Sequence, residues 1–78
     1  MDHKNFPPPE HPPKFIFGDM VSLKDKYFKG HWLIVKDVII EKEFKRGVPF
    51  RNTWYYKLQY SQTGEFYYDK ESNLISCE

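Results

Sequence analysis

The chain has 78 residues, of which 40% are hydrophobic and 19% aromatic, and its formal net charge is +1. That length holds one domain near the lower limit for an unaided hydrophobic core, and the density of large rings argues against disorder throughout. A single cysteine, Cys77, excludes an intramolecular disulfide.

Residues 1–14 contain five of the six prolines (Pro7, Pro8, Pro9, Pro12 and Pro13). Such density opposes helix and ladder hydrogen bonding, so this stretch is expected to be a disordered proline-rich tail with polyproline II character. PPPEHPP can also be read as a ligand for an aromatic groove of another protein, beside the commoner case of a passive extension. The folded domain is expected over residues 15–78. Phe15, Ile16 and Phe17 lead into a tight turn at Gly18-Asp19, followed by a first strand over residues 20–24 (MVSLK), with Val21 and Leu23 facing inward. Residues 25–31 (DKYFKGH) read as a polar loop turning at Gly30, with Tyr27 and Phe28 near its tip.

Residues 32–44 are rich in β-branched side chains and free of Gly and Pro, which predicts a long second strand. Val35 and Val38 are three apart, so strict alternation breaks and a bulge is expected near Lys36-Asp37. Residues 45–52 (KRGVPFRN) read as a basic hairpin connection marked by Gly47 and Pro49. A central strand over 53–60 follows, with Tyr56, Leu58 and Tyr60 on one face. A turn over 61–64, a strand over 65–69, a single helical turn over 70–73 and a last strand over 74–78 complete the chain.

The order of these signals resembles that of SH3-like small barrels, the group containing KOW, Tudor-like and many uncharacterised bacterial and phage proteins. The residues that carry the resemblance are Gly18-Asp19-Met20-Val21 with Leu23; Gly30 with Val35 and Val38; Tyr56-Lys57-Leu58; Gly64-Glu65-Phe66-Tyr67-Tyr68; and Glu71-Ser72-Asn73-Leu74. Together they span residues 15–78. The resemblance implies an all-β, single five-stranded SH3-like barrel with a 3₁₀ turn before the last strand, and a protein that binds rather than transforms. The connection between the second and third strands is longer than in a minimal KOW unit, so no functional residue is carried over. Tyr27, Trp32 and Tyr55 are the rings available for a Tudor-type cage.

The sequence carries no catalytic or metal-binding signature. His3 and His11 fall in the tail and only His31 in the domain, too few with Cys77 for a tetrahedral metal site. Cys77 and His31 lack a third orienting group, Glu41 and Glu43 more plausibly balance Lys42 and Lys45, and the four glycines stand apart rather than forming a phosphate loop. The expectation is a protein that is not an enzyme, with no cofactor and no metal. The N-terminus lacks the basic and apolar regions of a signal peptide, and no run of about 18 apolar residues occurs, so a cytoplasmic location without membrane partners is expected.

Charge is uneven. Residues 20–64 carry nine Lys or Arg against four acids, whereas residues 65–78 carry four acids and Lys70 alone. A protein-interaction module of phage or bacterial origin, using the aromatic loop and the 45–52 hairpin against a protein partner or a second copy, is the first functional expectation. A nucleic-acid-binding module is the alternative, with Lys24, Lys26, Lys29, Lys45, Arg46 and Arg51 on phosphates and exposed rings stacking on bases. Either way the candidate binding residues are Tyr27, Phe28, Lys29, Trp32, Lys45, Arg46, Arg51, Trp54 and Tyr55. The expected assembly is a monomer or weak homodimer.

Overall fold

The computed structural model describes residues 6–24 and 32–77. Five antiparallel strands form one open sheet in the order β4-β3-β2-β1-β5: β1 (Met20–Leu23), β2 (Leu33–Lys45), β3 (Val48–Tyr60), β4 (Phe66–Lys70) and β5 (Leu74–Ser76). A 3₁₀ turn, Glu71–Asn73, joins β4 to β5. The all-β class, the strand number and the 3₁₀ turn follow the sequence expectation. The expected loop over 25–31 lies outside the described residues.

β2 bends because its register with β3 shifts between Val35 and Asp37, leaving Lys36 as the extra residue. That insertion reconciles the spacing of Val35 and Val38: Val35 faces Leu58 and Val38 faces Tyr56, so both look toward the core despite being three apart. The core gathers Phe15, Val21, Leu23, Leu33, Val35, Tyr56, Leu58 and Leu74, with Val38, Trp54 and Tyr60 packed against it. Phe15 meets Tyr56 edge-on, at 5.6 Å between ring centroids. At the start of β1, Gly18 takes φ 94°, and Asp19 closes the turn by accepting from the Ile16 N–H at 3.0 Å through Oδ2.

The hairpin connection differs from the expected eight-residue loop. It is the two-residue turn Arg46-Gly47, with φ 54° and 78°, and strand pairing begins again at Val48. Two successive positive φ values match the right-handed twist of the flanking strands, which is why so short a turn suffices. Pro49 is tolerated inside β3 because β4 pairs with β3 only from Tyr55 onward. At Pro49 the strand therefore has a free edge, where a missing N–H costs no ladder bond.

Candidate functional site

β1 pairs with β2 only at Leu33 and Ile34, and β4 pairs with β3 no further toward the turn than Tyr55. Residues 40–45 and 48–54 therefore form a two-stranded arm that extends past the core, and among the described residues neither outer edge of the arm has a strand partner. The molecule measures 45 Å along its longest axis against 24 and 19 Å across. Four apolar side chains lie exposed on the arm: Ile40 (44%), Phe44 (59%), Val48 (61%) and Phe50 (41%). A second register shift, between Glu43 and Phe44, makes Phe50 a bulged residue.

A two-stranded ribbon alone is marginal in water, and polar contacts on both faces steady this one. On the outer face Arg51 Nε donates to Glu43 Oε1 at 2.8 Å, and Lys70 Nζ stands 3.5 Å from Glu43 Oε2. The Arg51 hydrogen bond holds the Glu43 carboxyl below the usual carboxylate range, against the opposing effect of partial burial. On the inner face Asn52 Nδ2 donates to the carbonyls of Phe6 and Pro7, at 3.0 and 3.2 Å.

Residues 6–14 carry no helix or strand, but they differ from the expected disordered tail in being held against the domain at several points. Besides the Asn52 contacts, Trp54 Nε1 donates to the His11 carbonyl at 2.9 Å. His11 Nε2 donates to Glu71 Oε1 at 2.7 Å, and the Lys14 N–H donates to Glu71 Oε2 at 2.7 Å. Glu71, only 7% exposed, also accepts from the Tyr56 hydroxyl at 2.8 Å. Burial alone would raise the Glu71 carboxyl, but donors from His11, Lys14 and Tyr56 outweigh it and the net direction is downward. Burial and the neighbouring carboxylate push the Tyr56 phenol upward. Between the segment and the arm remains a cleft of about 500 Å³, bordered by Pro8, Pro9, Phe50, Asn52, Thr53 and Glu71 among others.

Among the described residues, those expected to bind do not form one surface. Tyr27, Phe28 and Lys29 lie outside the described residues. Trp32 is exposed and immediately precedes β2, whereas Lys45 and Arg46 are exposed at its far end. The thirteen-residue strand β2 runs from beside Trp32 to Lys45, about 40 Å of extended chain. Arg51 is exposed but engaged with Glu43. Trp54 packs partly into the core beneath the proline-rich segment, and Tyr55, opposite Ile39 and Lys70, lies half-buried on the outer face. Glu43 balances Arg51 and Lys70 instead of the expected Lys42 and Lys45.

Sequence reasoning missed the arm's apolar residues and the outer-face rings Phe66 and Tyr68, both exposed, with Lys57 Nζ 4.3 Å from the centre of the Phe66 ring. The alternation in residues 66–70 (FYYDK) was a signal that Phe66 and Tyr68 share a face. Which face was not readable without the register to β3.

Comparison of the chain with protein-family models, curated proteins and solved structures finds no match. Among the described residues no group of three or more His, Cys, Asp or Glu could hold a metal ion, and no helix is long and apolar enough to cross a membrane.

Proposed function

We propose that this chain is a non-catalytic protein-interaction module, an SH3-like small barrel that docks on a protein partner through its β2–β3 arm. The barrel reading is supported by the neighbour order β4-β3-β2-β1-β5, by the bulge that bends β2 and by the 3₁₀ turn between the fourth and fifth strands. The docking reading is carried by one observation: four exposed apolar side chains on a two-stranded arm whose outer edges have no strand partner among the described residues. Such an edge is a template for an added strand.

Magnitudes set what the arm contributes. Full burial of a large apolar side chain is worth about 1.5–3 kcal/mol. These four are roughly half exposed, so covering them yields on the order of 4 kcal/mol, a millimolar affinity before ordering costs. Tighter association requires edge-strand hydrogen bonds or an aromatic anchor, for which Phe44 and Phe50 are the available groups.

A photo-crosslinking side chain placed at position 44, and at position 61 as a control, tests this in cells. The expected result is a discrete protein adduct from 44 and not from 61. Adducts from both positions alike, or from neither, would overturn it.

Nucleic-acid binding is the second reading, favoured by Lys42, Lys45 and Arg46 lying exposed near Phe44 and Phe50 at the end of the arm. It predicts affinity for single- or double-stranded DNA or RNA that falls by orders of magnitude between about 50 and 200 mM salt. Association that barely responds to salt supports the apolar arm instead.

A further inference from the structure

The sheet ends on β4. In the order β4-β3-β2-β1-β5 it does not close, and among the described residues β4 pairs along one side only, with β3. The Tyr60 N–H donates to the Glu65 carbonyl at 2.9 Å, which fixes the phase of that ladder. Backbone groups alternate in direction along an antiparallel strand. Glu65, Tyr67 and Asp69 therefore turn theirs toward β3, whereas Phe66, Tyr68 and Lys70 turn theirs to the free side. The Lys70 N–H is already taken, by Oδ1 of Asp69 at 2.8 Å. The open stretch thus runs from Phe66 to Tyr68, with two N–H and two C=O groups that have no strand partner among the described residues.

Side chains mark the same stretch. Phe66 and Tyr68 are each more than half exposed and share the outer face, where Lys57 stands opposite Tyr68 and over the Phe66 ring. Exposed edge strands are ordinarily blunted by charge, proline or a bulge. Residues 66–68 carry none of these, and the rings they carry instead are those that interfaces favour.

We propose that β4 is a self-association edge, pairing antiparallel with β4 of a second copy so that Phe66 meets the partner's Tyr68 and two five-stranded sheets become one of ten strands. A two-fold axis perpendicular to the sheet keeps both outer faces on one side, so odd-numbered residues meet odd and even meet even. Two registers centred on the open stretch satisfy that condition. Centred on Tyr67, Phe66 and the partner's Tyr68 exchange both bonds, twice over, and every open group is used. Centred on Tyr68, Phe66 faces the partner's Lys70, whose N–H is held by its own Asp69. The first register also sets an aromatic cross-strand pair at each end of the contact.

Self-complementarity selects a second copy as the occupant, because the pairing closes at two chains. The opposite edge of the sheet offers no equivalent template. On β5 the outward residues are Leu74 and Ser76, and Leu74 is buried. One feature opposes the dimer: Glu65 faces the partner's Asp69, and like charges directly opposite are destabilising. The contact is also short, so dissociation is expected on the order of 0.1 to 1 mM. Phe66 and Tyr68 lie outside the arm, so self-association through β4 and docking through the arm fail independently.

NMR of the full chain from about 0.05 to 2 mM tests the pairing. Translational diffusion should slow toward that of a dimer, with concentration-dependent shifts at the Phe66 and Tyr68 N–H resonances and none at residues 40–50. Mixed labelled and unlabelled protein should show contacts between the Phe66 ring of one copy and the Tyr68 ring of the other. Tyr68→Lys should weaken the dimer at least about 10-fold, and Glu65→Gln should tighten it about 3-fold by relieving the facing carboxylates. Glu65→Gln decides even where Tyr68→Lys fails to fold. Monomer diffusion throughout, shifts confined to the arm, contacts that place Phe66 beside the partner's Lys70, weakening by Glu65→Gln, or growth past two copies would each overturn the proposal.

Discussion

The Tyr56 hydroxyl donates to Glu71 Oε2 at 2.8 Å, joining the middle of β3 to the 3₁₀ turn that carries the chain from β4 to β5. The same hydroxyl lies 3.4 Å from the Phe15 N–H, and the same carboxylate oxygen accepts from the Lys14 N–H. One buried phenol and one buried carboxylate thus fasten the sheet, the 3₁₀ turn and the start of the folded domain together. Among the described residues, no buried side-chain nitrogen or oxygen lacks a partner.

Removing the phenol hydroxyl isolates the value of this bond. A hydrogen bond to a charged acceptor contributes about 1.5–3 kcal/mol, and Tyr56→Phe keeps the ring against Phe15. Tyr56→Phe is expected to lower stability by about 2 kcal/mol, read as a lower urea midpoint with an unchanged m-value. A loss under about 0.5 kcal/mol would mean that the bond carries little net weight.

Stability should depend on pH through the same pair. The Glu71 carboxyl is depressed in the folded state, so its contribution is fully present above the unfolded value of about 4.3 and is lost as pH falls through the lower folded value. Tyr56 is shifted upward, so its contribution is complete below the unfolded value of about 10 and declines as pH rises beyond it. Urea midpoints between pH 2.5 and 11 should fall at both ends. Glu71→Gln should flatten the acid limb, and an acid limb of unchanged slope in that variant would assign the effect to other carboxylates.

Much of the sheet was legible because its signals are local. The β-branched run of β2, the break between Val35 and Val38, and the glycine turns at Gly18 and Gly64 each announce themselves within a few residues. The site was less legible because its contacts are distant in sequence. Whether residues 6–14 lie free or held depends on Asn52, Trp54 and Glu71, more than 40 positions away in every case. Pro49 was misleading for a related reason, since a proline is compatible with β3 only if that part of the strand is an edge. The exposed arm was hidden by a sound expectation that a domain this small uses its rings in the core. Phe44 and Phe50 instead sit beyond the point where β4 stops pairing.

The Arg46-Gly47 turn sets the register of the arm. Gly47 at φ 78° has nothing within 4 Å of where a Cβ would project, so the cost of substitution there is conformational rather than steric. Gly47→Ala is expected to destabilise by about 1 kcal/mol. Arg46→Asn, which suits the first position of this turn, should stabilise by a few tenths of a kcal/mol. Thermal melts of the two variants should move in opposite directions, and a Gly47→Ala melt that rises would be incompatible with a positive φ at that position.

Glu43 and Glu71 provide a matched contrast between two carboxylates of the same chain, each facing basic or donor groups. Glu43 pairs with Arg51 and Lys70, whose side chains are 61% and 34% exposed, and solvent and salt screen such a cluster. Glu71 is enclosed by Tyr56, the Lys14 N–H and His11, and its removal leaves a buried hydroxyl and a part-buried N–H short of an acceptor. Glu43→Ala is therefore expected to cost under about 1 kcal/mol and to lose most of that cost in about 0.5 M salt. Glu71→Ala is expected to cost about 3 kcal/mol, because a buried pairing is broken on one side, and to respond little to salt. Urea midpoints of both variants at low and high salt decide the matter. Equal, salt-sensitive losses would place Glu71 in the same screened class as Glu43 and remove the fastening role argued for it.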